Sequence, residues 1–174
     1  MTTIHRLQTW LALLDEGFGS AQGWSAWALR ELMTLSPVPP WVVDLLYAST
    51  RSDAMSAVAD GLHQLTGGQW PLDHTSLRLG ILYLSHELGV LSLPLLLQLA
   101  GMVVDRTSQD PAPEVFYGLL DDLEAGQPDV ADRTRALFAR HAALARAQLD
   151  DLALDDESFL GGSRIEEAGA KQVE

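Results

Sequence analysis

Two apolar segments dominate the middle of the chain, from Leu77 to Val104, and are separated by Gly89 and Ser92. In the first segment leucine and isoleucine recur three and four positions apart, a spacing that places side chains on one face of an α-helix. Gly89 stands where a glycine ends a helix, and Ser92 is a suitable cap for the next one. The pattern therefore predicts two buried helices that pack as an antiparallel hairpin.

A membrane-spanning helix is the alternative interpretation of the second apolar segment. A span requires roughly 20 consecutive apolar residues. The segment from Leu88 to Val104 is shorter than this and contains Pro94 and Gln98. We therefore expect a helix of a soluble core and no membrane partner.

The same helical spacing predicts six further helices outside the central hairpin. Ser52 and Asp129 are the predicted caps of the fourth helix and the last helix. The glycine-containing segment from Gly17 to Gly23 is predicted as a flexible turn, and the next helix is predicted to begin at Trp24 or Ser25. The six helices are expected at about 3–16, 24–35, 40–48, 53–65, 114–124 and 130–152.

Signals for β-strands are weak, because no segment alternates apolar and polar residues over six positions. We therefore expect an all-α fold of about eight helices. Pairs of helix starts recur at roughly 33 to 40 residues, near the period of helical hairpin arrays. An irregular bundle and a short solenoid-like array both remain open. One helical domain is expected over residues 1–154, followed by a mobile, acidic tail over 155–174.

The charge of the chain narrows the class of partner. The formal net charge is −13, and 16 of the 24 acidic residues lie from Asp105 onward. Such a field repels nucleic-acid phosphates and anionic membranes and favours a basic protein. Arginines of the last predicted helix are offset by nearby acids, so nucleic-acid binding is not expected. The alternative is that the acidity only maintains solubility.

Sequence motifs for catalysis, cofactor binding or metal binding are missing. The chain has no cysteine and no GxSxG, GxGxxG or GxxxxGK[ST] pattern. His86-Glu87 lacks the second histidine of HExxH, and His63 with His74 cannot complete a zinc site alone. We therefore expect no enzyme, cofactor or metal. The lack of cysteine and of a leader-like N-terminus favours a cytoplasmic location.

The residues predicted to contact a partner are aromatic or acidic. Tryptophan is enriched at interface hot spots, and Trp24 and Trp70 lie beside turn residues rather than at core-like helical positions. Runs of acidic residues are predicted to steer a basic partner towards the surface. The candidate residues are Trp24, Trp70, Asp121, Asp122, Glu124, Asp150 and Asp151.

Four segments resemble small helical immunity proteins encoded beside bacterial polymorphic toxins: GWSAWALRELMTL, PPWVVDLLYAST, LGILYLSHELGVLSLPLLLQLAGMVVDR and EVFYGLLDDLE. The resemblance covers about residues 23–124 and lies in helix pattern and scattered aromatic residues. It implies a binding protein that neutralises a cognate toxin by covering its active site, and it assigns no individual residue a role. The alternatives are a helical adaptor or scaffold subunit of a bacterial assembly and a small helical enzyme with cleft residues from distant positions.

Overall fold

The computed structural model describes residues 2–68, 74–106 and 111–153. These ranges contain eight α-helices and no β-strand, which confirms the predicted all-α fold. No helix among them is both long and apolar enough to cross a bilayer. The predicted tail, 155–174, and the domain boundary predicted after residue 154 lie outside the described residues. The helices are α1 (Thr3–Asp15), α2 (Ala21–Thr34), α3 (Pro40–Leu46), α4 (Arg51–Thr66), α5 (Thr75–Glu87), α6 (Leu93–Asp105), α7 (Pro113–Glu124) and α8 (Val130–Leu152).

Two helices begin earlier than their sequence pattern predicts, because other residues cap them. The Ser20 hydroxyl accepts a hydrogen bond from the Gly23 N–H, so α2 starts inside the segment predicted as a flexible turn. At α4, Thr50 is the cap and the prediction of Ser52 is wrong. The Thr50 hydroxyl accepts from the Asp53 N–H while the Asp53 carboxylate accepts from the Thr50 N–H. This reciprocal pair satisfies two backbone donors that the helix leaves free.

The predicted central hairpin corresponds to α5 and α6. α5 ends at Glu87, and Gly89 has a φ of 78°, a left-handed conformation that suits glycine. Ser92 occupies the N-cap of α6 and Asp129 that of α8, although neither side chain accepts a hydrogen bond from its helix. α5 and α6 are in contact, but each packs more extensively on a later helix.

The eight helices form two nested sets of four. In the N-terminal unit, α1 to α4, α1 packs on α4 and α2 packs on α3. In the C-terminal unit, α5 to α8, α5 packs on α8 and α6 packs on α7. α1 also contacts α5 and α8, which joins the two units. Because helices distant in sequence are in contact, the fold is an irregular bundle rather than a solenoid, in which each repeat contacts only its neighbours.

Three tryptophan rings fill the centre of the N-terminal unit. Trp10 of α1, Trp27 of α2 and Trp41 of α3 are all buried. The ring centroids of Trp10 and Trp27 are 6.2 Å apart, and those of Trp27 and Trp41 are 6.1 Å apart. Aromatic pairs at such distances contribute packing energy beyond the area they bury.

Small residues bring the helices of the C-terminal unit close together. A Cβ atom placed on Gly80 of α5 would lie 2.2 Å from the carbonyl oxygen of His141 in α8 and 2.7 Å from the Cβ of Ala145. A Cβ atom on Gly101 of α6 would lie 2.7 Å from the ring of Tyr117 in α7. Both helix pairs therefore depend on glycine at the point of closest approach.

Polar side chains cross the junction between the two units. The Thr9 hydroxyl of α1 donates to the Gln148 side-chain oxygen of α8 over 2.7 Å. Glu16, just after α1, forms an ion pair with Arg78 of α5. Burial raises the pKa of Glu16, and the opposing attraction of Arg78 is not enough to cancel that effect. The junction therefore contains a carboxylate that is costly to keep charged.

Candidate functional site

α7 is the helix that shapes the candidate site. Pro113 occupies its first turn, where the missing N–H costs little. Phe116 and Leu119, three residues apart, form the buried face of the helix. α7 packs extensively on α6 and only lightly on α8. A groove of about 720 Å³ opens between α7 and α8.

Two rows of α7 residues line this groove, which we call the acidic groove. One row carries acids at both ends and a glycine between them, and the other carries two apolar residues followed by an acid. Within each row the spacing is four residues and then three, so each row runs along one side of the helix over about 10 Å. The rows are Glu114, Gly118 and Asp121, and Val115, Leu119 and Asp122, while α8 contributes Arg133 and Leu137.

Arg133 connects the two walls of the acidic groove. Its Nη1 atom donates to Asp122 Oδ2 over 2.7 Å and lies 3.8 Å from Asp129 Oδ1. This hydrogen bond to Asp122 is the main reason that the pKa of Arg133 lies above its usual value. Arg133 therefore compensates Asp122, whereas Glu114 and Asp121 leave the lining with an excess of negative charge.

The structure places three of the predicted acidic residues on α7. Asp121 and Asp122 line the acidic groove, where they lie beside the apolar surface of Leu119. Glu124 is exposed at the end of the same helix and does not line the groove. Two of the predicted acids therefore belong to a shared concave surface.

The other two acids lie at the far end of α8. Asp150 is 17 positions beyond Arg133, which corresponds to about 25 Å along a helix. The Asp151 carboxylate accepts a hydrogen bond from Arg6 Nε of α1 over 2.9 Å. Arg6 also pairs with the buried Glu31 of α2 over 3.2 Å. The hydrogen bond from Arg6 lowers the pKa of Asp151. The five predicted acids therefore do not form one surface, and Asp151 helps to hold three helices together.

The two predicted tryptophan contacts have different outcomes. Trp24 is only 4% exposed, and its indole Nε1 donates to the Ala48 carbonyl oxygen over 3.2 Å. The turn that suggested a surface position is the first turn of α2, which turns Trp24 into the core; its predicted place at the surface is wrong. Trp70 lies outside the described residues.

Two histidines in the described ranges, His86 and His141, form hydrogen bonds within the fold. One ring nitrogen of His86 lies 2.7 Å from the Leu91 carbonyl oxygen. A ring nitrogen of the buried His141 lies 2.7 Å from the Ser76 hydroxyl oxygen. Serine–histidine pairs can activate a nucleophile, but neither residue lines the acidic groove. Among the described residues, no group of three or more His, Asp or Glu side chains is arranged to hold a metal ion.

Six groove residues have no counterpart among the predicted partner contacts: Glu114, Val115, Gly118, Leu119, Arg133 and Leu137. A sequence signal was available for Gly118, because a glycine inside a predicted helix destabilises it and calls for a reason.

Comparisons with family models, with curated proteins and with solved structures give no match for this chain. The candidate site is therefore defined by geometry and charge alone.

Proposed function

We propose that the protein is a non-catalytic protein-binding module and that its acidic groove receives a basic partner protein. The observation that supports this most directly is the composition of the groove. Val115, Leu119 and Leu137 provide an apolar surface, while Glu114 and Asp121 lie at its edge. An apolar centre with a polar rim is the usual anatomy of a protein interface.

The overall charge supports a basic partner rather than an acidic or neutral one. A net charge of −13 attracts a basic protein over long distances and raises the rate of encounter. The excess acids of the groove then favour one orientation of that partner over others. Because these interactions are screened by ions, binding is expected to weaken markedly by about 0.5 M salt.

The most specific form of the proposal is an immunity protein that acts in the cytoplasm on a basic toxin domain. The resemblance over residues 23–124 supports it, and α7 lies at the end of that range. The mechanism is occlusion: acids steer the toxin, the apolar part of the groove holds it, and the bound protein covers the toxin's active site. No bond is made or broken by this chain.

Co-expression with the protein encoded by the adjacent reading frame tests the proposal. The groove variant combines Glu114→Lys with Asp121→Lys. The control combines Asp44→Lys with Asp60→Lys, two exposed acids on α3 and α4 whose replacement changes the net charge by the same amount. We expect the wild type and the control to protect growth and to co-purify with the toxin domain. The groove variant is expected to fail in both assays.

Two results would contradict parts of the proposal separately. A neighbouring frame without a toxin domain contradicts the immunity role. Undiminished binding by the Glu114→Lys and Asp121→Lys variant contradicts the use of the acidic groove.

A further inference from the structure

We propose that the acidic groove binds a single α-helix of the basic partner, and that Gly118 is the notch for one bulky apolar side chain of that helix. Two basic residues, seven positions apart on the partner helix, are assigned to Glu114 and Asp121. This inference rests on the proposed function and specifies the chemistry of the segment that the groove recognises.

Gly118 is a glycine that the fold itself does not require. It lies in the middle of α7, where glycine is less favourable than alanine because it orders a more flexible backbone. A Cβ atom placed there would meet no atom of the described residues within 4 Å. By contrast, a Cβ atom on Gly61 would lie 2.9 Å from the Trp41 ring, and Gly80 and Gly101 are confined more tightly still. Packing explains those three glycines and leaves Gly118 unexplained.

The position of Gly118 within the groove gives it a role. It lies between Glu114 and Asp121 in the same row, so the side-chain surface is interrupted between the two acids. Leu119 lies beside it and Leu137 faces the groove from α8. A large apolar side chain that enters the gap therefore meets apolar surface on two helices, and it is flanked by carboxylates.

The spacing of the two acids sets the spacing of their partners. Glu114 and Asp121 are seven residues apart, which is about 10 Å along the axis of α7. A second helix that lies along α7 reaches both carboxylates with basic residues that are also seven positions apart. Its bulky residue then falls between them, three or four positions from each. Helices that bind in grooves commonly use anchors with this spacing.

Two synthetic amphipathic peptides of identical composition provide the binding probe. In the matched peptide, two lysines seven positions apart flank a central phenylalanine on one face. In the shuffled peptide the same lysines lie on the opposite face. Fluorescence anisotropy with the full chain measures both affinities, and amide chemical shifts locate the contact. We expect the matched peptide to bind at least about tenfold more tightly.

Substitutions at Gly118 separate the notch from the stability of the helix. Gly118→Phe fills the gap, and we expect it to weaken binding of the matched peptide at least about tenfold without lowering the melting temperature. Gly118→Ala adds one carbon inside the notch, so we expect a higher melting temperature together with a smaller loss of affinity, about threefold. The matched control is Ala139→Phe, which adds the same ring at an exposed position of α8 outside the groove lining.

The outcomes distinguish this inference from the proposed function. If both peptides bind equally and the variant with Glu114→Lys and Asp121→Lys weakens both, the groove takes basic segments but the helix geometry is wrong. If Gly118→Phe binds the matched peptide as the wild type does, the notch is wrong. If neither peptide binds, the inference is overturned, whereas the proposed use of the groove is overturned only if the variant with Glu114→Lys and Asp121→Lys still binds the toxin domain in the co-expression assay.

Discussion

The two halves of this molecule differ in how closely their helices approach, because the confined glycine of the N-terminal unit, Gly61, meets side chains, whereas Gly80 of the C-terminal unit meets backbone. In the N-terminal unit the centre is filled by large rings, with Trp27 between Trp10 and Trp41. In the C-terminal unit the closest helix contacts depend on residues without a side chain, Gly80 against α8 and Gly101 against Tyr117. Large side chains hold helices apart around a filled interior, whereas glycine lets two backbones touch.

This difference explains where the groove is. Tyr117 of α7 packs over Gly101 of α6, which fixes α7 on that side. α7 meets α8 only lightly, and Arg133 with Asp122 spans part of the space between them. In the C-terminal unit, α5 packs closely on α8 and α6 packs closely on α7, whereas the surface between α7 and α8 stays open. Substitutions in each unit test how far this contrast holds.

The largest effect is expected from Trp27→Ala in the N-terminal unit. Trp27 is 2% exposed and contacts two other tryptophan rings, so its loss leaves a cavity that the neighbours cannot fill. We expect the free energy of unfolding to fall by about 3–5 kcal/mol, measured by urea denaturation. Leu29→Ala, on the exposed face of the same helix, is the control. If Trp27→Ala lost no more unfolding free energy than Leu29→Ala, the stability of the core would not depend on the three tryptophan rings.

Gly80→Ala tests the C-terminal unit, where adding one carbon should be harmful. The new Cβ would lie 2.2 Å from a backbone carbonyl oxygen, so α5 and α8 must separate. We expect a loss of about 1–3 kcal/mol in the free energy of unfolding. Gly118→Ala is the matched change in open space and should have the opposite sign. If both variants changed the free energy of unfolding in the same direction, the close approach of α5 and α8 would not determine the stability of this unit.

Arg133→Ala tests whether the ion pair across the groove stabilises the fold or mainly reduces the negative charge of the groove. Its pairs with Asp122 and Asp129 are exposed and screened by solvent, so we expect little change in the free energy of unfolding. Removing the cation makes the groove more negative, and the matched lysine peptide should bind about twofold to fivefold more tightly at low salt. Arg135→Ala, whose pair with Asp132 lies within α8, is the control. Weaker binding by Arg133→Ala would show that the residue holds the groove in shape.

The smallest effect is a pH dependence at the junction of the units. Because Arg6 lowers the pKa of Asp151, this carboxylate stabilises the fold above about pH 4 and loses that effect as the pH falls through its folded-state pKa. The difference in unfolding free energy between wild type and Asp151→Asn should therefore shrink from about pH 5 to pH 3. Asp150→Asn removes the neighbouring charge without touching Arg6 and serves as the control. A difference that does not change with pH would contradict the pairing.

Glu16, at the same junction, changes the stability of the fold with pH in the opposite direction. Since burial raises its pKa in the folded state, its contribution is most favourable below the pKa of the unfolded chain, about 4.3, and is lost as the pH rises through the folded-state value. The two carboxylates therefore respond to pH in opposite directions, although both face an arginine.

Apolar spacing was enough to predict the eight helices, and it gave α8 its observed limits. It failed at helix starts, where several residues compete as caps. Thr50 and Ser52 both have a hydroxyl, and only the reciprocal bonds with Asp53 favour Thr50. The same failure placed Trp24 at the surface, because the cap at Ser20 went unrecognised.

The candidate site was predicted in part. The acidic run identified Asp121 and Asp122, because local charge is visible in the sequence. It could not separate them from Asp151, since Arg6, which binds Asp151, lies 145 positions away. The spacing of apolar residues within a helix does not show which other helix, remote in sequence, it contacts. For the same reason the sequence gives no sign that Arg133 binds Asp122 across the groove.

The contact of α1 with α8 has a consequence for biosynthesis. Thr9 and Gln148, which meet in the folded protein, are 139 residues apart. At a translation rate of about 5–20 residues per second, roughly 7 to 28 seconds separate their synthesis on the ribosome. For that interval the nascent chain presents the α1 surface without its final cover, which makes it a ready client for a chaperone. Completion of the fold must wait for the last helix, a closure over long range that is slow compared with local helix formation.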